Sequence, residues 1–173
     1  MVKLWRCLIC GDPYIGNSPP NNCPFCGVPI EYIIEAKDAE VNFNVILNTT
    51  DQKNAKRALE VEVSNAQFYF CAAVKTDDNE GKQLFKALGK VEEEHANVWK
   101  KILKLTKVEI PNVNECSTSN INNLKESHTR ETRAIKFYKK AAEESANKRV
   151  KEIFEAFTKV EIDHLQLSED SLK

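Results

Sequence analysis

The sequence of 173 residues lacks any apolar run that approaches the ~20 residues a membrane-spanning helix needs. Its first residues also lack the character of a signal peptide. Neither sign of charge dominates, with 25 basic and 26 acidic residues. These absences predict a cytoplasmic protein that does not enter a membrane and has no general electrostatic attraction to nucleic acid.

Glycine and proline are scarce beyond residue 29, since five of the six prolines and three of the five glycines precede residue 30. The remainder is rich in Lys, Glu, Ala, Leu and Asn, as long helices are. The composition therefore predicts a small domain at 1–35, a linker at 36–50 and a helical domain at 51–173. Residues 32–34 form the predicted last strand of the small domain, and the apolar linker residues are expected to dock on one of the domains.

Four of the six cysteines form two Cys-x-x-Cys pairs, Cys7 with Cys10 and Cys23 with Cys26. In an intracellular chain this spacing indicates metal binding before disulfide formation. Each pair is followed by glycine, which is typical of a knuckle whose backbone N–H groups point at the sulfurs. Two knuckles predict a closed tetrahedral site of four thiolates, and the knuckles alone fit zinc as well as iron.

The helical domain contains an internal repeat at an offset of 69 residues. Residues 82–95 align with residues 151–164, with seven of the 14 positions identical. The pattern predicts two related helical hairpins, with helices at about 51–75, up to 107, at 120–145 and from 147 to the C-terminus. The connection at 108–119 is long enough to run the length of the bundle, which favours a ferritin-like four-helix bundle with a long crossover between the second and third helices.

The repeat carries two Glu-x-x-His motifs, each with a carboxylate and an imidazole three residues apart on one helical face. One Glu on each of the other two helices completes the ligand set of a carboxylate-bridged di-iron or di-manganese site. Four carboxylates offset the charge of two divalent ions, and the imidazoles leave positions open for peroxide or O2. The six candidate ligands are Glu62, Glu92, His95, Glu131, Glu161 and His164.

Tyr69 and Tyr138 lie two turns after Glu62 and Glu131, so each hydroxyl could bond a ligand carboxylate, although both also fit ordinary core aromatics. His128 is interpreted as a neighbour of the ligands or a surface residue. Cys71 and Cys116 have no cysteine nearby in the sequence, and no role is assigned to them. The predicted core residues are Val61, Phe85, Leu88, Val91, Phe154, Phe157 and Val160.

With these motifs the chain resembles the rubrerythrins, and its domain order resembles the reverse type, in which the rubredoxin-like domain comes first. The resemblance implies that Glu92 and Glu161 bridge two irons, while Glu62, Glu131, His95 and His164 are terminal ligands. The family usually has a further Glu three residues after the third-helix Glu. This chain has Ala134 there, which puts the family's redox-linked iron movement in doubt and leaves a more symmetric, ferritin-like site.

The resemblance also implies a function. A non-haem di-iron peroxidase would reduce hydrogen peroxide, or O2, with electrons from a rubredoxin-type iron held by the four cysteines. An external donor, such as a rubredoxin or an NAD(P)H-linked reductase, would supply these electrons. Members of the family form homodimers in which the rubredoxin domain of one chain approaches the di-iron site of the other. The alternative is a ferroxidase or iron-handling protein with a zinc or iron ribbon, which Ala134 favours.

Overall fold

The computed structural model describes residues 1–111 and 115–173, so the predicted connection at 108–119 lies partly outside the described residues. The N-terminal part forms three short antiparallel strands, β1 (Lys3–Cys7), β2 (Pro13–Gly16) and β3 (Ile33–Glu35), in the order β2-β1-β3. The last strand starts one residue later than predicted because Ile30–Tyr32 forms a 3-10 turn. A second such turn, Ala36–Asp38, leads into the linker.

Four long helices follow: α1 (Thr49–Lys75), α2 (Asn79–Leu103), α3 (Asn120–Glu144) and α4 (Lys148–Ser171). Each begins where a polar side chain accepts a hydrogen bond from a free backbone N–H of the first turn. These caps are Asn48, Asp78, Ser119 and Asn147. The predicted end of α2 near residue 107 is wrong, because Lys104 adopts a left-handed conformation (φ 56°) that closes the helix.

Hydrogen bonds between helix ends fix the topology of the bundle. The backbone N–H of Asp77 donates to the carbonyl of Thr118 at 2.8 Å, which places the α1–α2 turn beside the start of α3. At the other end the Asp51 carboxylate accepts from the Ser145 hydroxyl at 2.6 Å, beside the α3–α4 turn. Because α2 and α3 start at the same end, the connection between them must return along the bundle. The ferritin-like bundle with a long crossover is therefore confirmed.

The predicted core residues are mostly buried. Val61 and Val91 are the exceptions, since each is only half-buried at the margin of the core. The side chains of Phe85, Leu88, Phe154, Phe157 and Val160 are enclosed between the helices. No helix within residues 1–111 and 115–173 combines the length and apolar character required to cross a bilayer.

Two contacts within residues 1–111 and 115–173 attach the crossover to α1. The Gln67 side-chain amide donates to the carbonyl of Ile110 at 3.2 Å, and Cys116 forms a disulfide with Cys71. Cys116 also packs on a cluster of buried apolar side chains that includes Phe68 and Leu124. Sequence analysis assigned these cysteines no role, and the structure pairs them with each other. Their pairing depends on the path of the crossover, which brings together residues 45 positions apart.

The linker docks on both domains. Phe43 lies against Gly11 of the first metal knuckle, and the cationic ends of Lys101 and Arg149 from the bundle lie over its ring at 5.2 and 5.7 Å. Val45 and Leu47 pack against the same core, whereas Ile46 is exposed. The linker therefore fastens the N-terminal domain to the bundle.

The disulfide predicts a redox-dependent stability. Closing a loop of 45 residues removes entropy from the unfolded chain that corresponds to about 4 kcal/mol. We expect Cys116→Ala to lower the free energy of unfolding by about 2–4 kcal/mol in oxidising buffer, measured by urea denaturation. Cys71→Ala should have the same effect, and the double variant should lose no more than either single one. A difference from wild type that persists in full under a strong reductant would contradict this explanation.

Candidate metal centres

The four predicted cysteine ligands meet in one buried cluster, the four-cysteine site. Cys7 Sγ lies 3.7 Å from Cys26 Sγ, and Cys10 Sγ lies 3.8 Å from Cys23 Sγ. A tetrahedron with metal–sulfur bonds of about 2.3 Å has edges of about 3.8 Å. These separations are far longer than a disulfide bond. The sulfur geometry therefore fits one tetrahedrally bound metal ion.

Both knuckles depend on the glycine that follows the second cysteine of the pair. Gly11 and Gly27 have φ angles of +87° and +74°, and their N–H groups donate to the carbonyls of Cys7 and Cys23. A side chain at Gly27 would also approach Val160 of α4 to within 2.8 Å. The second knuckle therefore sits directly against the bundle, and glycine permits both its turn and its close approach.

The six predicted carboxylate and imidazole ligands lie at one level of the bundle, and all are buried. They form two overlapping groups in which the ligand atoms lie within 4.8 Å of one another. Glu92 and Glu161 belong to both groups, whereas the other ligands belong to one. The first group is Glu62, Glu92, His95 and Glu161, and the second is Glu92, Glu131, Glu161 and His164. Two shared carboxylates between two groups are the arrangement that bridges a pair of metal ions.

Both histidines turn Nδ1 toward the carboxylates. His95 Nδ1 lies 3.3 Å from Glu161 Oε1 and 3.6 Å from an oxygen of Glu62. His164 Nδ1 lies 3.0 Å from Glu92 Oε1 and 3.1 Å from Glu161 Oε2. Each imidazole therefore offers a nitrogen to the same interior space as the carboxylates.

The cluster has more buried acceptors than the protein can satisfy. Within residues 1–111 and 115–173, one oxygen each of Glu62, Glu131 and Glu161 and both oxygens of Glu92 have no hydrogen-bond partner, nor does His95 Nδ1. Burial raises the pKa of Glu62 and of Glu131. The neighbouring charge of Glu92 raises both pKa values further, and the charge of Glu161 also raises the pKa of Glu131. Unpaired buried carboxylates are costly, and divalent cations remove the cost. The donor set therefore fits two metal ions that prefer oxygen and imidazole ligands.

The two tyrosines form crossed hydrogen bonds between α1 and α3. Tyr69 on α1 donates to Glu131 on α3, and Tyr138 on α3 donates to Glu62 on α1. Burial raises the pKa of both phenols, so they stay protonated as donors. Tyr69 also contacts the hydroxyl of Ser127 at 2.9 Å. The tyrosines therefore orient the carboxylates of Glu131 and Glu62, as hydrogen-bond partners of metal ligands commonly do.

One contact joins the two centres. His95 Nε2 donates to the backbone carbonyl of Cys26 at 2.9 Å, so the imidazole that faces the carboxylates also touches the sulfur knuckle. Phe157 stacks on the His95 ring at 3.9 Å and fixes its plane. The domain is further held by Lys101, which donates to the carbonyl of Cys10 at 2.9 Å. In this arrangement the knuckle lies against the bundle of its own chain.

Sequence reasoning missed several residues around the centre. Ser127 links Tyr69 to the buried hydroxyl of Ser168 at 2.8 Å, and a single serine in a polar helix gives no signal of such a bond. His128 is half-buried at the surface and lies 3.3 Å from Glu169, which agrees with the second alternative of the prediction, a surface residue. Ala134 is buried one turn after Glu131, with no carboxylate at that position.

Family profiles match both parts of the chain. The profile described as "Rubrerythrin, rubredoxin-like domain" matches residues 5–33, and the one described as "Rubrerythrin" matches residues 53–172. The chain therefore belongs to the rubrerythrin family, and the resemblance stated from the motifs is confirmed. Comparisons with curated proteins and with solved structures found no match.

The carboxylate centre predicts a pH-dependent stability for protein stripped of its metals there. Burial lowers the pKa of His164, but the carboxylates of Glu161 and Glu92, whose oxygens lie 3.1 and 3.0 Å from its Nδ1, outweigh burial and raise the pKa to about 9. A histidine with a raised folded pKa stabilises the fold below its ordinary pKa of about 6.5, and this stabilisation is lost as pH rises. We expect protein with metal in the four-cysteine site alone to lose about 3 kcal/mol between pH 6.5 and 9.

Denaturant unfolding across that pH range measures the loss. Protein with both centres filled is the control, because metal replaces the proton on His164 and should flatten the profile. If the free energy of unfolding of the stripped protein rose with pH, the His164 imidazole would not be protonated beside the carboxylates of Glu161 and Glu92.

Proposed function

We propose that this protein is a non-haem di-iron peroxidase that reduces hydrogen peroxide: H2O2 + 2 H⁺ + 2 e⁻ → 2 H2O. The observation that carries the proposal is the hydrogen bond of 2.9 Å from His95 Nε2 to the carbonyl of Cys26. It provides a short route of bonded atoms between a one-electron sulfur site and a two-metal site. An iron-storing bundle has no need of such a route, whereas a peroxidase must be reduced again after each turnover.

The ligand residues have distinct tasks in this scheme. Two irons in the carboxylate centre would supply two electrons, and one iron in the four-cysteine site would replace them one at a time. The bond to Cys26 fixes the tautomer of His95, so that Nε2 carries the proton and Nδ1 remains available as a ligand. Tyr69 and Tyr138 keep Glu131 and Glu62 oriented while the charge of the centre changes.

The outer side of the second knuckle is the proposed contact for an electron donor. Cys26 faces the bundle through its carbonyl, while the adjacent Phe25 is exposed. A rubredoxin or an NAD(P)H-linked reductase that docks over Phe25 would lie close to the sulfur cluster. A homodimer or higher homo-oligomer, and a cytoplasmic location, remain predictions.

A ferroxidase or iron-handling role is the second candidate, and Ala134 favours it. This position lies one turn after Glu131 and contributes no carboxylate, which leaves six ligands in two similar halves. Such a site would bind and oxidise iron without a ligand exchange. In that case the four-cysteine site would serve as a zinc or iron ribbon that fastens the domain.

Metal content separates the two candidates. Anaerobically purified protein should contain about three irons per chain, and its visible spectrum should show thiolate-to-iron charge-transfer bands from the four-cysteine site. Elemental analysis and absorption spectroscopy measure both. A colourless protein with one zinc and two irons would favour the ferroxidase.

Blocking the four-cysteine site should separate electron delivery from peroxide chemistry. We expect protein with zinc in this site to lose reduction by an external donor, because zinc carries no redox chemistry. It should still react once with H2O2 when its carboxylate centre has been reduced chemically. The double variant Cys10→Ser, Cys26→Ser should behave in the same way, and Cys116→Ser is the matched control outside the cluster. Normal steady-state turnover of the zinc form would disprove the electron route.

A further inference from the structure

A groove of about 500 Å³ runs between α1 and α3, apart from the ligands and the sulfur knuckles. The helices α1 and α3 form the face of the bundle opposite α2 and α4, on which the N-terminal domain is docked through His95, Lys101 and Val160. We refer to this cleft as the α1/α3 groove, and its lining includes Val61, Ser64, Asn65, Arg130, Ala134 and Phe137.

Asn65 gives the groove an unsatisfied hydrogen-bond donor. It lies three residues after the ligand Glu62, on the same face of α1, and its side chain is 3% exposed. Its Oδ1 accepts from Arg130 Nη1 at 3.3 Å, and because a guanidinium only donates, this bond fixes which way the amide points. Within residues 1–111 and 115–173, its Nδ2 has no hydrogen-bond partner. A buried N–H without a partner is costly, so a small polar molecule that accepts from it would bind favourably.

Arg130 is itself held in place by several contacts. Its guanidinium donates to Glu126 at 2.9 Å and to Ser64 at 3.2 Å, and it lies over the ring of Phe68 at 4.4 Å. A guanidinium so fixed cannot turn away from Asn65 without losing these contacts. Arg130 therefore acts through Asn65 as a positioning residue.

Ala134 provides the space between the groove and the carboxylates. It lines the groove from α3, one turn after the ligand Glu131, and its small side chain is buried. On the inner side lie the carboxylates of Glu62 and Glu131, which the metal ions would engage when the centre is filled. The buried N–H of Asn65 is the donor on the way to that centre, and either oxygen of hydrogen peroxide can accept a hydrogen bond from it.

We propose that the α1/α3 groove is the route by which H2O2 reaches the carboxylate centre, with Asn65 Nδ2 as the donor that positions it. This inference rests on the proposed peroxidase function. Electrons then arrive from the α2/α4 face through Cys26 and His95, and the oxidant arrives from the opposite face. The separation keeps peroxide away from the thiolates of the four-cysteine site.

Substitution of Asn65 tests the donor. Asn65→Leu removes the N–H at similar size, and Asn65→Asp keeps an acceptor for Arg130 while removing the N–H. In both we expect the second-order rate constant for oxidation of pre-reduced protein by H2O2 to fall at least tenfold. The effect should appear in KM for peroxide, whereas reduction by the external donor should be unchanged. Asn54→Leu is the control, since Asn54 is another buried asparagine of α1 that bonds Glu144 outside the groove.

Substitution of Ala134 tests the route, with a readout that does not depend on turnover. Ala134→Met should narrow the passage and slow the binding of azide to oxidised, iron-loaded protein at least tenfold, followed by its visible absorption change. Iron content and melting temperature establish that each variant is folded and loaded.

Failure of the wild type to react with H2O2 would refute the peroxidase function. A wild type that reacts, together with Asn65 and Ala134 variants that take up peroxide and azide at the wild-type rates, would overturn the route alone.

Discussion

Four carboxylates buried at one level of a helical bundle are the constraint on which the rest of this structure depends. Glu62, Glu92, Glu131 and Glu161 are inaccessible to solvent, and together they would repel one another without cations between them. Each helix must therefore be long enough to place its carboxylate well away from the helix ends. Each turn between helices must also lie at the same distance from the layer that contains the four carboxylates. The crossed bonds from Tyr69 and Tyr138 then hold two of the carboxylates in place before metal binds.

The repeated hairpins make the ligands symmetric, but their surroundings differ. His95 is capped by the carbonyl of Cys26 and stacked on Phe157, whereas no such contact with the N-terminal domain is made by His164 among the described residues. The two ligand groups therefore differ in their surroundings, since one of them touches the four-cysteine site through His95. This asymmetry arises from the docking of a separate domain, and the bundle alone would not produce it.

The sequence was sufficient to predict which six side chains meet at the carboxylate centre, because their signal is local. A helix repeats every 3.6 residues, so Glu92 with His95 and Glu161 with His164 indicate a shared face, and the offset of 69 residues pairs the two hairpins. Most features that sequence reasoning missed depend on how separate elements meet. Cys71 finds Cys116 only through the path of the crossover, and Asn65 meets Arg130 only where two helices lie side by side. The left-handed turn at Lys104 is a local feature, but the sequence has no glycine at this position that would predict it.

The cysteines of this chain reach two different states, and their surroundings explain the difference. Cys71 and Cys116 have Cα atoms 5.9 Å apart and close a disulfide, with no further thiol beside them among the described residues. The other four converge with sulfurs 3.7–3.8 Å apart, in knuckles whose hydrogen bonds hold that spacing without a covalent bond. A metal ion that binds all four thiolates removes them from thiol chemistry, because the electron pairs that would attack an oxidant are engaged. Under the proposed peroxidase function, the four-cysteine site must be filled with metal and must also lie far from the oxidant. Its placement behind His95, on the face opposite the α1/α3 groove, would meet the second requirement.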